Sequence, residues 1–309
     1  MKTLRPIEFA PIVLFVYARP EHTRRTLEAL AANALADQSD LVVYSDASRS
    51  EREAEAVRVV RELILATSGF RSVTLVARDM NFGLARNIIE GVSEVLRQHE
   101  CVIVLEDDMV TSPFFLTYMN DALKRYANDD RIISIHGYVY PVAGGLPEAF
   151  FLPGADCWGW ATWRRGWECF NPDGAQLLRE LKQRKLERTF DYEGSYPYTK
   201  MLEAQIAGTN DSWAIRWYAS AFLLGKLTLY PGRSLVHNIG NDATGTHCDQ
   251  SSEMDTLLSN RPIRLDGVAV ESSTLARGEF ARFFNRQSRR GITGWIRRLL
   301  GSLTMERAA

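Results

Sequence analysis

Cys101–Val110 reads CVIVLEDDMV, and the reading of the whole chain turns on it. An apolar run ends abruptly in Glu106, Asp107 and Asp108. An uninterrupted apolar run of this length, bounded by polar residues, predicts a strand buried on both faces of a parallel sheet. Three successive carboxylates at the end of such a strand repel one another and lose solvation, so a sheet gains nothing from them. They become useful where a divalent cation sits, because hard oxygen ligands at a strand's carboxyl end can hold Mg²⁺ or Mn²⁺ against a substrate's phosphates. A solvated acidic turn is the plain alternative, and these ten residues alone leave both readings open.

Outward from this strand the pattern repeats. Pro11–Tyr17, Leu41–Ser45, Ser72–Ala77 and Ile132–His136 read as further strands. Helical composition covers Glu21–Leu30, Ser50–Ala66, Leu84–Gln98 and Pro113–Tyr126, with Val57, Val60, Leu63 and Ile64 on one face of the second. Alternation of strand and helix with short connections predicts an α/β fold, a mostly parallel, doubly wound sheet with right-handed crossovers. Ligands of such sheets bind beyond the carboxyl ends of the strands. Asp46 follows one strand end and Glu106–Asp108 another, so one crevice can hold both.

After about Tyr140 the rhythm breaks at Gly144, Gly145, Pro147, Pro153 and Gly154. Aromatics then cluster in Trp158, Trp160, Trp163 and Trp167. Helices are expected near Gly174–Arg188 and Ser212–Leu224, then a strand at Leu227–Tyr230 and a loop holding His237, Asn238, Asp242 and His247. The expected organisation is an α/β half over 1–140, an elaboration of the same domain packed on it and sharing its cleft over 141–280, and a tail over 281–309. That tail carries Arg282, Arg286, Arg289, Arg290, Arg297 and Arg298, with Ile292, Trp295, Ile296, Leu299, Leu300 and Leu303 at helical spacing. Such a segment fits a helix lying on an anionic membrane surface, or equally one docked on its own domain. Gly291 and Gly294 weaken the helix.

The totals exclude other classes. A chain of 309 residues, 46% hydrophobic and 24% charged, can bury a sizeable core. A net charge of −1 lacks the basic excess of a nucleic-acid binder. Cys101, Cys157, Cys169 and Cys248 are far apart without CxxC spacing, which predicts reduced thiols in a cytoplasmic protein. The N-terminal stretch lacks the features of a signal peptide. No window approaches the ~20 apolar residues that span a bilayer.

Chemistry follows from the strand ends. Asp46 would accept hydrogen bonds from a base or ribose, and a metal on Asp108 would neutralise a diphosphate. Trp158, Trp160 and Trp163 could stack on the C–H face of a sugar, although core packing is the commoner role of tryptophan. A transfer reaction needs a base outside the metal cluster to deprotonate the acceptor hydroxyl. Asp211, just before a predicted helix, fits that role and fits a helix N-cap equally.

Four stretches together, PIVLFVYARPEHTRRTLEAL, VVYSDAS, RDMNFGLARNIIEGV and VIVLEDDMVTSPFFLTYM, resemble the nucleotide-binding half of GT-A glycosyltransferases. Family 2-like bacterial sugar transferases are most similar, and the acidic triplet and Asp-Trp element look like those of N-acetylglucosaminyltransferase I. WGWATWRRGWECF and the segment from Asn210 to His247 resemble the acceptor half, so the similarity runs from about Pro11 to Cys248. The resemblance implies that Arg19, Asp46, Asn81, Arg86, Glu106 and Asp107 line the nucleotide-sugar pocket. It implies Asp108 as principal ligand of Mn²⁺ or Mg²⁺, His237 as a further metal or phosphate contact, and Asp211 as the base of an inverting transferase. The QxxRW element of processive synthases is absent, which argues against polymer synthesis coupled to export.

The expected function is therefore transfer of a sugar from a nucleotide-sugar, UDP-linked by expectation, to a hydroxyl of a glycan or lipid-linked glycan. The expected site of action is cytoplasmic, at the inner face of the membrane if the tail binds there. Two alternatives stand beside it. A nucleotidyltransferase would carry a Gly-rich, basic loop after the first strand, which Ala18-Arg19-Pro20-Glu21 does not supply. A non-catalytic glycan- or nucleotide-binding protein would have little reason to retain both Asp108 and Asp211.

Overall fold

The structure, a computed structural model, describes residues 9–240, 242 and 253–288. Its strands are β1 (Ile12–Val16), β2 (Asp40–Ser45), β3 (Ser72–Ala77), β4 (Cys101–Glu106), β5 (Met109–Thr111), β6 (Ile132–His136), β7 (Ala149–Pro153), β8 (Trp160–Trp163), β9 (Leu227–Pro231) and β10 (Val236–Asn238). The helices are α1 (Pro20–Ala31), α2 (Glu51–Leu65), α3 (Leu84–Leu96), α4 (Phe115–Arg125), α5 (Arg164–Trp167), α6 (Gly174–Gln183), α7 (Glu187–Phe190), α8 (Tyr198–Ile206) and α9 (Trp213–Leu223). One more helix runs over 274–288.

Eight strands form one sheet in the order β3-β2-β1-β4-β8-β6-β9-β7. The pairs β3–β2, β2–β1, β1–β4 and β6–β9 are parallel, whereas β8 runs antiparallel between β4 and β6 and β7 antiparallel to β9. The expected α/β class with a mostly parallel sheet is present, and strands from both halves of the chain share it.

Alternation within each strand explains the two layers of helices. Ile12, Leu14 and Val16 of β1, with Ile103 and Leu105 of β4, face one core with Leu27 and Leu30 of α1, Val60 and Ile64 of α2, and Met119 of α4. Val13 and Phe15 of β1, with Val102 and Val104 of β4, face another with Ile88 and Val92 of α3 and Trp213 and Trp217 of α9. A strand buried on both faces must be apolar at every position, which is why Ile12–Val16 shows no alternation in sequence. A third core packs α6, α8 and α9 against Phe280, Phe283 and Phe284 of the 274–288 helix.

That last helix is docked on the domain as far as it is described. The remainder of the expected basic segment, from Arg289, lies outside the described residues. No helix among the described residues is long and apolar enough to cross a membrane. Cys101, Cys157 and Cys169 are free thiols, and Cys248 and His247 lie outside the described residues.

Four strands, β5, β7, β8 and β10, are not among those the sequence predicts, and for two the reason is identifiable. Trp160–Trp163 was read as an aromatic cluster, but burial on both faces between β4 and β6 makes it a central strand. Met109 and Val110 fall at the end of the expected acidic strand, Cys101–Val110. The chain instead turns at Asp107-Asp108 and pairs with β10 in a separate two-stranded sheet.

Candidate functional site

Three parallel neighbours, β2, β1 and β4, end at one edge of the sheet, in register through Val16↔Ser45 and Phe15↔Glu106. Asp46, Arg19 and Glu106–Asp108 follow those ends and therefore meet. This is the carboxyl edge at which α/β sheets bind ligands.

Asp46 is 5% exposed and fully engaged with backbone. Its Oδ1 accepts from the N–H of Ala47 (2.9 Å) and of Phe82 (2.8 Å), and its Oδ2 from that of Gly83 (2.9 Å). The carboxylate thereby ties the end of β2 to the loop that enters α3. Gly83 holds φ at +73° there, which residues bearing a Cβ rarely adopt. Asn81 continues the tie, donating to Ala47 O at 2.6 Å and accepting from Arg49 Nε at 3.3 Å. Arg86 lies 3.9 Å over the Phe82 ring and pairs with Glu90 at 2.7 Å. A hollow of about 510 Å³ opens beside the same turn, lined in part by Ala47, Ser48, Arg61, Arg78 and Asp79.

The acidic turn is held from three sides. Thr26 Oγ1 donates to Asp107 O at 2.8 Å, Ile239 N to Asp108 O at 2.9 Å, and Arg19 binds both side chains. Asp107 is 4% and Asp108 8% exposed, while Glu106 is half-buried. Burial, then the charges of Asp108 and Asp107, push the Glu106 carboxyl up to about 8. Burial also raises Asp107, and Arg19 pulls it back, leaving it at about 6. In return the two aspartates hold the Arg19 guanidinium charged, against the opposing effect of its own burial.

Asp108 Oδ1 is the exception in this network: it is buried and accepts no hydrogen bond. A buried carboxylate oxygen without a partner is costly unless a ligand completes it. Gly240 closes over this carboxylate, and a Cβ there would strike Asp108 and lie 3.1 Å from Arg19 Nη1. Among the described residues no group of three His, Cys, Asp or Glu side chains can cage a metal. That donor set suits a hard cation held by one or two carboxylates and completed by water and substrate phosphates. A single orphaned oxygen fits such a site.

His237 stands on β10 opposite Val110, with Nδ1 buried and unpartnered, and lines a hollow of about 440 Å³ with Asp255, Thr256, Leu257 and Leu258. Asp211 is 71% exposed at its side chain and pairs with Arg216 at 3.3 Å. Ser212, not Asp211, caps α9, its hydroxyl accepting from Ile215 N. The capping role therefore does not account for Asp211. Two residues on, Trp213 packs 5.4 Å from Trp160, the first residue of β8, so α9 begins near the same sheet edge.

Of the three tryptophans expected on the acceptor side, only Trp158 offers surface. Trp160 is 1% exposed among Trp167, Trp213 and Trp217, and Trp163 is 5% exposed with its indole N–H on Leu123 O. Those two are core packing, as tryptophan on a central strand must be. Trp158 is half-buried and lies 4.7 Å from Tyr138.

No family model matches the chain, and no curated protein is similar to it in sequence. Among solved structures it is remotely similar to a mannosyltransferase from Pyrobaculum calidifontis in complex with GDP-Man and Mn²⁺, at 19% identity over 44% of this chain and 39% of that chain, TM-score 0.29. S. aureus TarS matches at 15% identity over 47% of this chain and 25% of its own, TM-score 0.31. Glucosyl-3-phosphoglycerate synthase from Mycobacterium tuberculosis, in complex with Mn²⁺, UDP and glucosyl-3-phosphoglycerate, matches at 11% identity over 56% and 66% of the two chains, TM-score 0.34. The chain thus spans less than two thirds of the length of each. These likenesses are remote.

Proposed function

We propose that this protein is a metal-dependent inverting glycosyltransferase of the GT-A type, taking a nucleotide-sugar, UDP-linked by preference, as donor and a glycan or lipid-linked glycan hydroxyl as acceptor. The observation that carries the reading is the orphaned Asp108 Oδ1, buried at the carboxyl edge of the sheet beside Arg19 and the ends of β1, β2 and β4. The sequence resemblance set out above supplies the substrate class.

Residues take the following parts. Asp108, with His237 as a further contact, would hold Mn²⁺ or Mg²⁺. Such an ion supplies Lewis acidity toward the departing diphosphate. Asp46, Asn81 and Phe82-Gly83 shape the nucleotide side, Asp46 acting chiefly by fixing backbone. Arg19 offsets part of the burial that raises Asp107 and hydrogen-bonds Asp108. Asp211 is the proposed general base. It would take the proton of the acceptor hydroxyl as that oxygen bonds to the anomeric carbon from the face opposite the leaving diphosphate, inverting the configuration.

The test is release of nucleotide from a panel of UDP-, GDP- and dTDP-sugars with Mn²⁺ present. Turnover of one donor is expected, reduced at least ~100-fold in Asp108→Asn, the size of effect that loss of one charge-stabilising group produces. Binding of nucleotides without turnover of any donor would sink the transferase reading in favour of a binding protein. Full transfer activity in Asp211→Asn would remove Asp211 as base.

A further inference from the structure

Beyond the acidic turn, the same edge of the sheet carries a second carboxylate that no sequence pattern marks. His136 ends β6 and Tyr230 lies one residue from the end of β9, the parallel neighbour of β6. Asp156 lies in the loop between β7 and β8, whose first residue, Trp160, pairs with both Val104 and His136. Asp156 Oδ1 accepts from Cys157 N at 2.9 Å. Oδ2 is loosely held, 3.5 Å from Tyr230 Oη and 3.6 Å from His136 Nε2. His136 is 0% exposed, and neither ring nitrogen has a hydrogen-bond partner. The site thus holds a buried unpartnered imidazole aimed at a carboxylate that is 23% exposed and has acceptor capacity to spare.

Aromatic side chains surround this carboxylate. Tyr140, Trp158 and Tyr196 are half-buried, and the Tyr138 ring lies 5.3 Å from that of Tyr140 and 4.7 Å from that of Trp158. Burial and then the Asp156 charge raise the hydroxyls of Tyr138 and Tyr140, and the same two causes in the same order raise Tyr196. Because Trp160 pairs with both β4 and β6, Asp156 and the acidic turn sit at neighbouring strand ends.

We propose that Asp156, with Tyr140, Trp158 and Tyr196 around it and His136 and Tyr230 behind it, is the acceptor-binding subsite, and that it takes a neutral hexopyranoside. The proposal rests on the transferase reading above. Aromatic faces cover the C–H face of a sugar ring, while a carboxylate accepts from its hydroxyls, the combination of apolar walls and a few placed polar groups that small-ligand sites use. Phosphorylated or carboxylated sugars are disfavoured, because they would bring a second negative charge against the Asp156 carboxylate. Asp156 here positions the acceptor, and proton removal stays with Asp211.

The experiment is saturation-transfer NMR on the full chain with UDP and Mn²⁺ present, using methyl glycosides of glucose, galactose, mannose and N-acetylglucosamine, with methyl glucuronide as the anionic probe. At least one neutral glycoside should bind saturably and the glucuronide should not. Asp156→Asn keeps the Oδ1 acceptor for Cys157 N and should weaken that glycoside at least tenfold, with UDP affinity as in the parent. Tyr196→Ala, which removes one ring of the proposed wall and leaves the carboxylate in place, should weaken it as well, with thermal unfolding confirming that the variant is folded. Wild-type affinity in both variants, equal binding of the glucuronide, or no binding of any neutral glycoside would each overturn the subsite. Failure of the donor reading would show separately, as absence of Mn²⁺-dependent UDP binding.

Discussion

Nη2 of Arg19 reaches both members of the acidic pair, hydrogen-bonding Asp107 Oδ1 and lying 2.8 Å from Asp108 Oδ2, while Nε lies 3.3 Å from Asp107 Oδ2. One guanidinium thus offsets two buried charges that follow a buried strand. Its planar fork suits this role, which a lysine ammonium would fill only as a point charge.

Arg19→Met should accordingly be among the more damaging changes near the site. It leaves Asp107 and Asp108 buried without their counter-charge, a loss of about 3 kcal/mol for breaking a largely buried ion pair from one side. Urea denaturation would measure it. Arg19→Lys should recover part of the stability but not all, and a midpoint equal to the parent for Arg19→Met would contradict the role given to this residue.

Asp46 predicts a structural effect that a purely ligand-binding residue would not show. Its carboxylate accepts three backbone N–H groups, from Ala47, Phe82 and Gly83. Asp46→Ala should cost on the order of 3 kcal/mol, since each buried donor left unsatisfied costs roughly 1–3 kcal/mol before relaxation. Asp46→Asn should lie between, because its amide NH₂ cannot accept from Gly83 while its oxygen still serves Ala47 and Phe82. Thermal unfolding without nucleotide gives the comparison.

Gly91 predicts a conflict between helix propensity and packing. Alanine at a mid-helix glycine normally gains up to about 1 kcal/mol. Here a Cβ would lie 2.8 Å from Phe15 Cε1, 2.9 Å from Phe15 Cζ and 3.2 Å from Tyr44 Cδ2, two rings stacked at 5.4 Å in the core between α3 and the sheet. Overpacking of about 1–3 kcal/mol should outweigh the gain, so Gly91→Ala is expected to lower the denaturation midpoint. A raised midpoint would show that the stacked pair yields more readily than its burial implies.

His136 sets a pH dependence whose sign follows from burial. Burial lowers its affinity for a proton, and Asp156 only partly restores it. In the unfolded chain a histidine titrates near about 6.5. Above that value both states are neutral and the residue adds no pH dependence. As pH falls below it, the unfolded chain takes up a proton that the folded chain refuses, so stability declines with acidification. His136→Phe retains an aromatic ring, and neither imidazole nitrogen has a hydrogen-bond partner to lose. Denaturation midpoints at pH 7.5 and 5.5 should therefore differ less in this variant than in the parent. An unchanged difference would assign the acid sensitivity to other groups.

Much of the proposed donor side was legible in sequence because its signals are local. Strand β4 announces itself by an unbroken apolar run, and its carboxylates stand out because a sheet has no structural use for them. The acceptor side was not legible in this way. Trp158, Trp160 and Trp163 look alike in WGWATW, yet β8 pairing buries the last two and leaves the first at the surface. Asp156 is a lone aspartate between Ala155 and Cys157 with no spacing to mark it. Ser212 took the cap that Asp211 seemed equally suited to provide.

Sequence alone determined the α/β class, the parallel order of alternation and the strand ends at which charge collects, because hydrophobic periodicity and burial on both faces act through neighbours in the chain. Tertiary structure decided which of those charges meet. Arg19 contacts Asp107 across 88 positions, His136 faces Asp156 only because β8 runs antiparallel between β4 and β6, and Gly240 returns from β10 to close over Asp108. Contacts of that range depend on strand order and register. Neither leaves a local mark, because any strand with the same apolar surface could have occupied the same place in the sheet.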